Sequence, residues 1–331
     1  MPVTLADVAQ AVGMSASTVS RALSGTAKVN DATRERIVRT AREMGYEPNQ
    51  VARSLTSGRT DLIGLIVPDI ANPFFPPIIK AVQARARARG KTVLISDVDE
   101  DMSDELLRSR LMRKQVDGLI VVSPRTSEAS LAEMGRLAPI VFVNREVDGA
   151  TNVIVDATEG MQDAVEHLSS LGHRTICYLN GPRRSWSNRQ RQAAVRTACE
   201  VHGLELVEFG PFEAQMQSGY RAADLVRSKG ITAVIAYDDL IALGLMSRLH
   251  ELGVRVGPDL SVIGIDDSPM AEMSYPALSS IHVPGVRAGA TAVDAVLDLL
   301  DRPAEEAEHR TIQLDTRLII RASTAPAPRE G

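Results

Sequence analysis

Two cysteines in 331 residues are too few for a disulfide framework. Cys177 falls in a stretch expected as a strand and Cys199 in one expected as a helix, so both read as reduced packing residues. No apolar run reaches the ~18 residues that a membrane span needs. The N-terminus lacks the apolar core of a signal peptide, so the expectation is a cytoplasmic protein with no membrane partner. The six histidines do not cluster at metal spacing, and neither a metal nor a cofactor is expected. His173 follows a predicted helix end and would meet its terminal carbonyls. No nucleophile motif, phosphate loop or internal sequence repeat is found. The Pro-rich tail lacks the leucine heptads of a tetramerising coiled coil. Aromatic residues are scarce, eleven in all.

What is present is uneven in charge. Residues 1–60 hold eight Lys and Arg (Arg21, Lys28, Arg34, Arg36, Arg39, Arg42, Arg53, Arg59) against five acids (Asp7, Asp31, Glu35, Glu43, Glu47), a net of +3. The whole chain carries −5, so residues 61–331 carry −8. A polyanion is therefore drawn to one end and repelled by the rest. The same imbalance can also arise as surface scatter, and the local pattern decides.

Three short helices are predicted in that basic segment. Thr4 and Asp7 resemble a capping box ahead of Leu5, Val8, Ala9 and Val12. Gly13 supplies a turn. Ser15 caps a second helix over 16–23, with Val19 and Leu23 on one face. Asn30 caps a third over 31–44, with Ile37, Val38, Ala41 and Met44 inward. Helix, tight turn, helix is the geometry that lays a second helix into a major groove. Ser15, Ala16, Ser17, Thr18, Ser20 and Arg21 lie on or near the start of that helix. Most are short enough for close approach, and Arg21 can fork onto a guanine edge or a phosphate. A plain three-helix bundle is the alternative.

The motifs Thr4-Leu5-Ala6-Asp7-Val8-Ala9, Ser15-Ala16-Ser17-Thr18-Val19-Ser20-Arg21-Ala22-Leu23 and Val29-Asn30-Asp31-Ala32-Thr33-Arg34 resemble the headpiece of the LacI (lac repressor) family. Gly45-Tyr46-Glu47-Pro48-Asn49-Gln50-Val51-Ala52-Arg53-Ser54-Leu55 resembles that family's hinge. The resemblance runs to about residue 325. Residues 49–57 are too short for a stable isolated helix, so the hinge is expected to order only on DNA. Ala52 is small enough for two such helices to cross closely, and Val51 and Leu55 share a face. The resemblance gives Asn49, Val51, Ala52 and Leu55 to the DNA site, with Leu55 as an apolar wedge in the minor groove. Thr4 joins the headpiece contacts. A linker leucine tucked onto the body is the other reading of Leu55.

From residue 62 short apolar runs alternate with longer helical stretches. Residues 62–67, 92–96, 118–122 and 140–143 read as buried strands, with helices over 74–89, 104–114 and 159–171. The alternation resumes with strands at 175–179, 206–209, 233–236 and 261–264 and helices at 188–202, 217–229 and 239–252. This predicts α/β lobes of parallel sheets flanked by helices. About 270 residues exceed one comfortable core, so two lobes are expected. The family resemblance implies a periplasmic-binding-protein-like core whose chain crosses between lobes three times. The expected divisions are a headpiece at 1–47, a hinge and linker at 48–59, an N-terminal lobe at 60–171 and 285–312, a C-terminal lobe at 172–284 and 313–325, and a tail at 326–331.

Ligands in such sheets bind at the carboxyl ends of strands, here between the lobes. The resemblance implies a cleft arginine at Arg191 and a cleft aspartate at Asp266, with Ser187 as a ligand-contacting hydroxyl. Ala194-Val195 replace the family's usual Gly-Phe. Asp238 stands where the family more often has Asn, and it can equally cap the helix that follows. Asp239 and Asp267 read as caps, and Arg183, Arg184 and Arg189 as solvated surface. Phe74, Phe75, Trp186 and Phe212 fall in loops expected to face the cleft. Phe212 matches a stacking aromatic of the family only with two extra residues allowed before Ser218. Phe75 in the core and Trp186 on a lobe surface are the alternatives.

These readings point to a dimeric transcriptional regulator, by default a repressor, bound to a pseudo-palindromic double-stranded operator and switched by a small effector. One cation, Arg191, against two carboxylates, Asp238 and Asp266, favours a neutral sugar or cyclitol over a sugar phosphate. A carbohydrate-acting enzyme with Asp238 and Asp266 as paired carboxylates, or a sugar-binding protein without a regulatory role, are the alternatives. Both leave the basic module unexplained.

Overall fold

The computed structural model describes residues 3–24, 29–46, 58–136, 139–302 and 309–328. The expected hinge residues Asn49, Val51, Ala52 and Leu55 lie outside the described residues. The chain divides into two compact units, Met1–Thr60 and Asp61–Gly331.

The first unit is helical among its described residues: α1 (Leu5–Val12), α2 (Ala16–Ser24) and α3 (Asp31–Glu43). The capping box forms as expected. Asp7 N–H donates to the Thr4 hydroxyl at 3.3 Å and Thr4 N–H donates to Asp7 Oδ2 at 2.8 Å. Gly13 ends α1 in the left-handed region at φ 65°. Asn30 Oδ1 accepts from Ala32 N–H and starts α3. Val8, Ala9, Val12, Val19, Ala22, Ile37 and Ala41 form the buried core, with Leu23 and Met44 at its margin. Val38, expected in the inward stripe, is half-buried and lies outside that cluster. Arg36 Nη2 donates to the Val12 carbonyl at 2.8 Å and so ties α3 to the end of α1.

The second unit has two six-stranded sheets. The first lobe contains β1 (Leu62–Val67), α4 (Phe75–Ala88), β2 (Thr92–Asp97), α5 (Met102–Arg113), β3 (Gly118–Val122), α6 (Glu128–Gly135), β4 (Ile140–Val143) and β5 (Thr151–Asp156). The second lobe contains α7 (Thr158–Ser170), β6 (Thr175–Leu179), α8 (Trp186–His202), β7 (Glu205–Phe209), α9 (Met216–Ser228), β8 (Ala233–Ala236), α10 (Asp239–Glu251), β9 (Ser261–Asp266), α11 (Pro269–Met273) and β10 (Ser279–His282). The chain then returns to the first lobe as α12 (Gly285–Asp301) and β11 (Thr311–Asp315), and ends in the second with β12 (Arg317–Ile319). Strand order is β11-β5-β4-β3-β1-β2 in one sheet and β12-β10-β9-β8-β6-β7 in the other. All pairs are parallel except β10 with β12.

Three crossings join the lobes; the one before α12, at Gly285, lies where it was expected, and the other two do not. Met161, Ala164, Val165 and Leu168 of α7 pack with Ile176, Tyr178 and Val195. The first crossing therefore follows β5, near Ala157, and not residue 171. Gly172 stops a helix without ending a lobe. β11 pairs with β5 through Asp315, which moves the last crossing from 312 to Thr316. The Thr316 hydroxyl donates to the Asp156 carbonyl at 2.9 Å and accepts from Gly160 N–H at 3.2 Å, so two crossings are fastened to each other.

His173 does not serve the helix end through its ring. Its Nδ1 lies 2.9 Å from the Thr232 hydroxyl, and its Nε2 lies 3.0 Å from the Ser261 hydroxyl and 3.2 Å from the Ala325 carbonyl. Cys177 and Cys199 are buried free thiols, pushed up to about 12 and about 11 chiefly by burial. Among the described residues no helix is long and apolar enough to cross a membrane.

Candidate functional site

Two regions carry chemistry. In the first unit, Ser15 Oγ accepts from Thr18 N–H at 3.2 Å and lies 3.0 Å from Ser17 Oγ. This caps α2 and sets its first turn. Val19 and Ala22 fix the opposite face in the core. Ser15, Ala16, Ser17, Ser20 and Arg21 are all exposed, while Thr18 is half-buried with its hydroxyl 2.8 Å from Ser15 Oγ. Arg21 Nε donates to the Ser17 carbonyl at 3.1 Å, which lays the arginine along this face. The result is a short-side-chain surface with one cation, joined to α1 by the turn at Gly13.

In the second unit, residues at the carboxyl ends of strands from both lobes meet in one recess. Asn72, Phe74, Phe75, Ser123, Arg125 and Asn144 come from the first lobe, and Ser187, Arg191, Ala214, Tyr237, Asp238 and Asp266 from the second. A neighbouring recess, bounded by Ala157, Val283 and Thr316 of the crossings, shares Asn144, Ser187 and Arg191. Ser123, Asn144 and Asp266 each follow or end a strand with positive φ, of 46°, 53° and 119°. Three non-glycine residues held in the left-handed half of the map at one recess is the sort of strain that surrounding structure must impose.

Arg191 is the centre of the second-lobe half. Its Nη1 donates to the Tyr237 carbonyl at 2.5 Å, and its Nη2 donates to Asp266 Oδ1 at 3.4 Å. Its guanidinium also lies 4.8 Å from the Tyr237 ring centroid. Tyr237 is locked in turn. Its hydroxyl is 3.0 Å from Ser185 Oγ, and an added Cβ on Gly181 would come within 2.3 Å of the ring. Asp238 Oδ1 accepts from Ile241 N–H at 2.8 Å, so the helix-cap reading is right. Its Oδ2 is buried without a hydrogen-bond partner, so the binding reading survives beside it. Burial pushes the Asp238 carboxyl up to about 7, against the pull of Ile241 N–H and Arg191. Burial also raises Asp266 well above the usual carboxylate range, opposed chiefly by Arg191.

Asp239 and Asp267 are structural. Asp239 accepts from Ser268 N–H at 2.7 Å and from the Ser280 hydroxyl at 2.7 Å, and Asp267 pairs with Arg321 and His282. Phe74 packs on the clusters of both lobes, while Phe75 is 3 % exposed and belongs to the first-lobe core as well as lining the recess. Phe212 is not among the lining residues. It packs on the second-lobe cluster around Tyr237 and Ile241, and Ala214 faces the recess instead. The two additional residues before Ser218 thus put a small side chain where an aromatic was expected. Trp186 is half-buried and does not line the recess. Arg183, Arg184 and Arg189 are exposed, and Arg145 is buried against Glu128.

The sequence reading missed Arg125. Its backbone N–H donates to Glu105 at 2.8 Å, and its guanidinium pairs with Glu100 at 3.0 Å. The recess therefore sets two cations, not one, against Asp238 and Asp266. The available signal was position, since Arg125 and Asn144 follow the predicted strands at 118–122 and 140–143. Among the described residues no cluster of His, Cys, Asp and Glu could hold a metal ion.

The strand order, the three crossings and the recess between them invite comparison with known proteins. Residues 4–49 match the profile of bacterial regulatory proteins of the lacI family, and residues 165–324 that of the periplasmic binding protein-like domain. The chain is 32% identical to the HTH-type transcriptional regulator DegA of Bacillus subtilis over 98% of its own length and 99% of that protein. It belongs to the LacI family. The HTH-type transcriptional repressor PurR of Erwinia tasmaniensis is 34% identical, with 98% of each chain covered. The structure of the lac repressor dimer bound to operator and the anti-inducer ONPF matches with a TM-score of 0.88 at 29% identity, over 98% of this chain and 100% of that one. This LacI-family member is a transcriptional repressor with a DNA-binding and a ligand-binding domain, and not an enzyme. Asp238 and Asp266 are accordingly not the carboxylate pair of a glycosidase.

Proposed function

We propose that this LacI-family repressor binds a pseudo-palindromic operator as a homodimer, and that a neutral sugar or cyclitol in the interlobe recess controls its affinity for DNA. The reading rests above all on Arg191, held between the Tyr237 carbonyl and Asp266 at the meeting of the lobes. A guanidinium in that position can fork onto two hydroxyls of one ligand. Asp266 and the unpartnered Asp238 Oδ2 can accept from others. Arg125 does not reverse the charge balance, because Glu100 already pairs with it. A phosphate would have to enter beside Asp238 and Asp266 in a poorly solvated recess, and only with both acids kept protonated. A sugar phosphate is therefore the second choice. On the DNA side, Ala16, Ser17 and Arg21 are assigned to base edges and Thr4, Ser15, Thr18 and Ser20 to the backbone. Asn49, Val51, Ala52 and Leu55 keep the hinge roles that the family resemblance implies.

A thermal-shift screen of sugars, polyols and sugar phosphates tests the ligand class, because a ligand of the native state stabilises it by mass action. Tight binding of a phosphorylated sugar with its neutral parent inert would overturn the reading.

The proposed contact at Asp238 makes binding pH-dependent. Its folded carboxyl is raised to about 7, so part of it is protonated at neutral pH. A ligand hydroxyl donating to Oδ2 favours the carboxylate, and binding then releases a proton. Affinity should rise from pH 6 to pH 8 and level off above, by up to roughly tenfold per unit of pH below the pKa. Calorimetry on the wild type and on Asp238→Asn checks this. The variant should show a flatter profile, and an unchanged slope would remove Asp238 from the contact.

Operator binding should also fall steeply with salt. A protein meeting six to ten phosphates loses roughly 10³–10⁵-fold in affinity between 50 and 200 mM salt through counterion release. Fluorescence anisotropy on an operator duplex at several salt concentrations measures the slope, and a flat response would contradict phosphate contacts by the basic unit.

A further inference from the structure

Arg125 is an unusual residue for the end of a strand. It lies three positions past β3, in a loop whose backbone is fixed independently of its side chain. Buried Glu105 accepts from Arg125 N–H at 2.8 Å and from Thr126 N–H at 2.8 Å. That carboxylate ties the loop to α5, and nothing in it requires a guanidinium at position 125. Yet the Arg125 side chain is only 6 % exposed and is spent on the recess. One edge of the guanidinium is taken by Glu100, with Nε at 3.0 Å from Oε2 and Nη2 at 3.3 Å from Oε1. Nη1 makes none of the hydrogen bonds found for this side chain.

The second lobe offers the matching half. Asp238 lines the same recess, and its Oδ2 is buried without a partner while its Oδ1 is committed to the α10 cap. A buried carboxylate oxygen without a donor is costly, and such an atom in a native structure calls for an explanation. The first lobe thus presents the guanidinium edge left over from the Glu100 pair, and the second an acceptor, Asp238 Oδ2, without a partner among the described residues, both in one recess. A sugar hydroxyl pair has this complement: one hydroxyl accepts while its neighbour donates. An anionic group does not fit as well, since Glu100 neutralises Arg125 and Asp238 would face the anion.

We propose that Arg125 is an effector-binding, specificity-determining residue of this chain, and that with Asp238 it forms a subsite for two adjacent hydroxyls of a neutral ligand, one on each lobe. The inference rests on the reading of the recess as a site for a neutral polyhydroxylated ligand. A ligand bound this way ties the lobes together through position 125. Ser123, Asn72 and Asn144 supply only neutral groups on the first-lobe side.

The test uses the full-length chain and calorimetric titration with D-glucose, D-ribose, D-mannitol, myo-inositol and cellobiose. The probe that binds wild type best is then titrated into Arg125→Ala, Arg125→Lys, Asp238→Asn and the Arg125→Ala/Asp238→Asn double variant. Each single loss should weaken binding at least tenfold, and the double variant should lose less than the product of the two, because one hydroxyl pair serves both residues. A vicinal deoxy analogue of the probe should bind wild type weakly and be indifferent to Arg125→Ala. Arg125→Lys, which keeps the charge but loses the planar fork, should recover only part of the affinity. A single cooperative unfolding transition in every variant, expected because Glu105 holds the loop backbone, shows that the fold is kept. Undiminished binding by Arg125→Ala would overturn the inference and leave the neutral-ligand reading standing. Failure of every neutral probe, with binding of sugar phosphates, would overturn both.

Discussion

Arg191→Ala is expected to leave operator binding within about twofold of wild type while removing the response to ligand. Arg191 links a main-chain carbonyl to Asp266 in the second lobe, with both partners of the ion pair buried. Truncating a buried charged group that hydrogen-bonds its ligand costs about 2–5 kcal/mol of binding. Ligand affinity should therefore fall by at least ~100-fold, the equivalent of about 2.8 kcal/mol. Lysine keeps the charge but not the planar fork, so Arg191→Lys should recover only part of it. The readout is operator anisotropy in the presence and absence of the ligand that wild type answers to. A normal ligand response from Arg191→Ala would show that the switch does not run through this recess. Loss of DNA binding without ligand would assign Arg191 a structural role instead.

The second large effect concerns stability. α9 and α10 cross with backbone against backbone. A Cβ added to Gly219 would lie 1.8 Å from the Ile241 carbonyl oxygen, and one added to Gly244 would lie 1.9 Å from the Met216 carbonyl oxygen. No rotamer change relieves a clash with main chain, so the helices must separate. Ile241, Leu245 and Ala223 of the second-lobe core would then lose contact. Overpacking of this kind costs about 3 kcal/mol or more, which lowers Tm by roughly 6–12 °C in a domain of this size. Gly135→Ala is the control, because an added Cβ there meets nothing within 4 Å. It should be neutral or slightly stabilising, by under ~1 kcal/mol. Calorimetric scans of Gly219→Ala, Gly244→Ala and Gly135→Ala decide the matter. Equal Tm values for all three would contradict the packing account.

The parts of the fold that were legible in the sequence are those with strong local signals. Thr4, Ser15 and Asn30 cap helices where their side chains can reach the first free N–H groups. Strands at 118–122, 140–143, 175–179 and 233–236 are continuous apolar runs because helices cover both faces of their sheets. β5, β10 and β11 were missed, as was β12, which is only three residues long and pairs antiparallel at a sheet edge. Thr151–Asp156 mixes polar residues into its run, and its partner β11 comes from the far end of the chain. The lobe assignment of α7 depends on which sheet its apolar stripe covers, and spacing alone cannot tell.

The recess shows the same division. Arg191, Asp238 and Asp266 sit in recognisable local patterns. Arg125 stands in Ser123-Pro124-Arg125-Thr126, which reads as a charged loop. Its burial needs Glu100, twenty-five residues earlier, and Glu105 on α5. Phe212 had the right chemistry and the wrong register. In the first unit the helices were readable, but whether Val38 faced the core was not, because a three-helix core of this size accommodates only part of each stripe.

The central claim, a two-fold DNA-binding repressor whose reading helix is α2, is tested most directly by selecting binding sites from a randomised duplex pool with the full-length chain. The expected product is a pseudo-palindromic sequence, since the symmetry of a dimer is mirrored in its operator. A variant with bulkier residues at Ala16 and Ser17 should enrich a different half-site while keeping the same two-fold arrangement. A single asymmetric half-site bound by one chain, or the same sequence enriched by wild type and variant, would contradict the account.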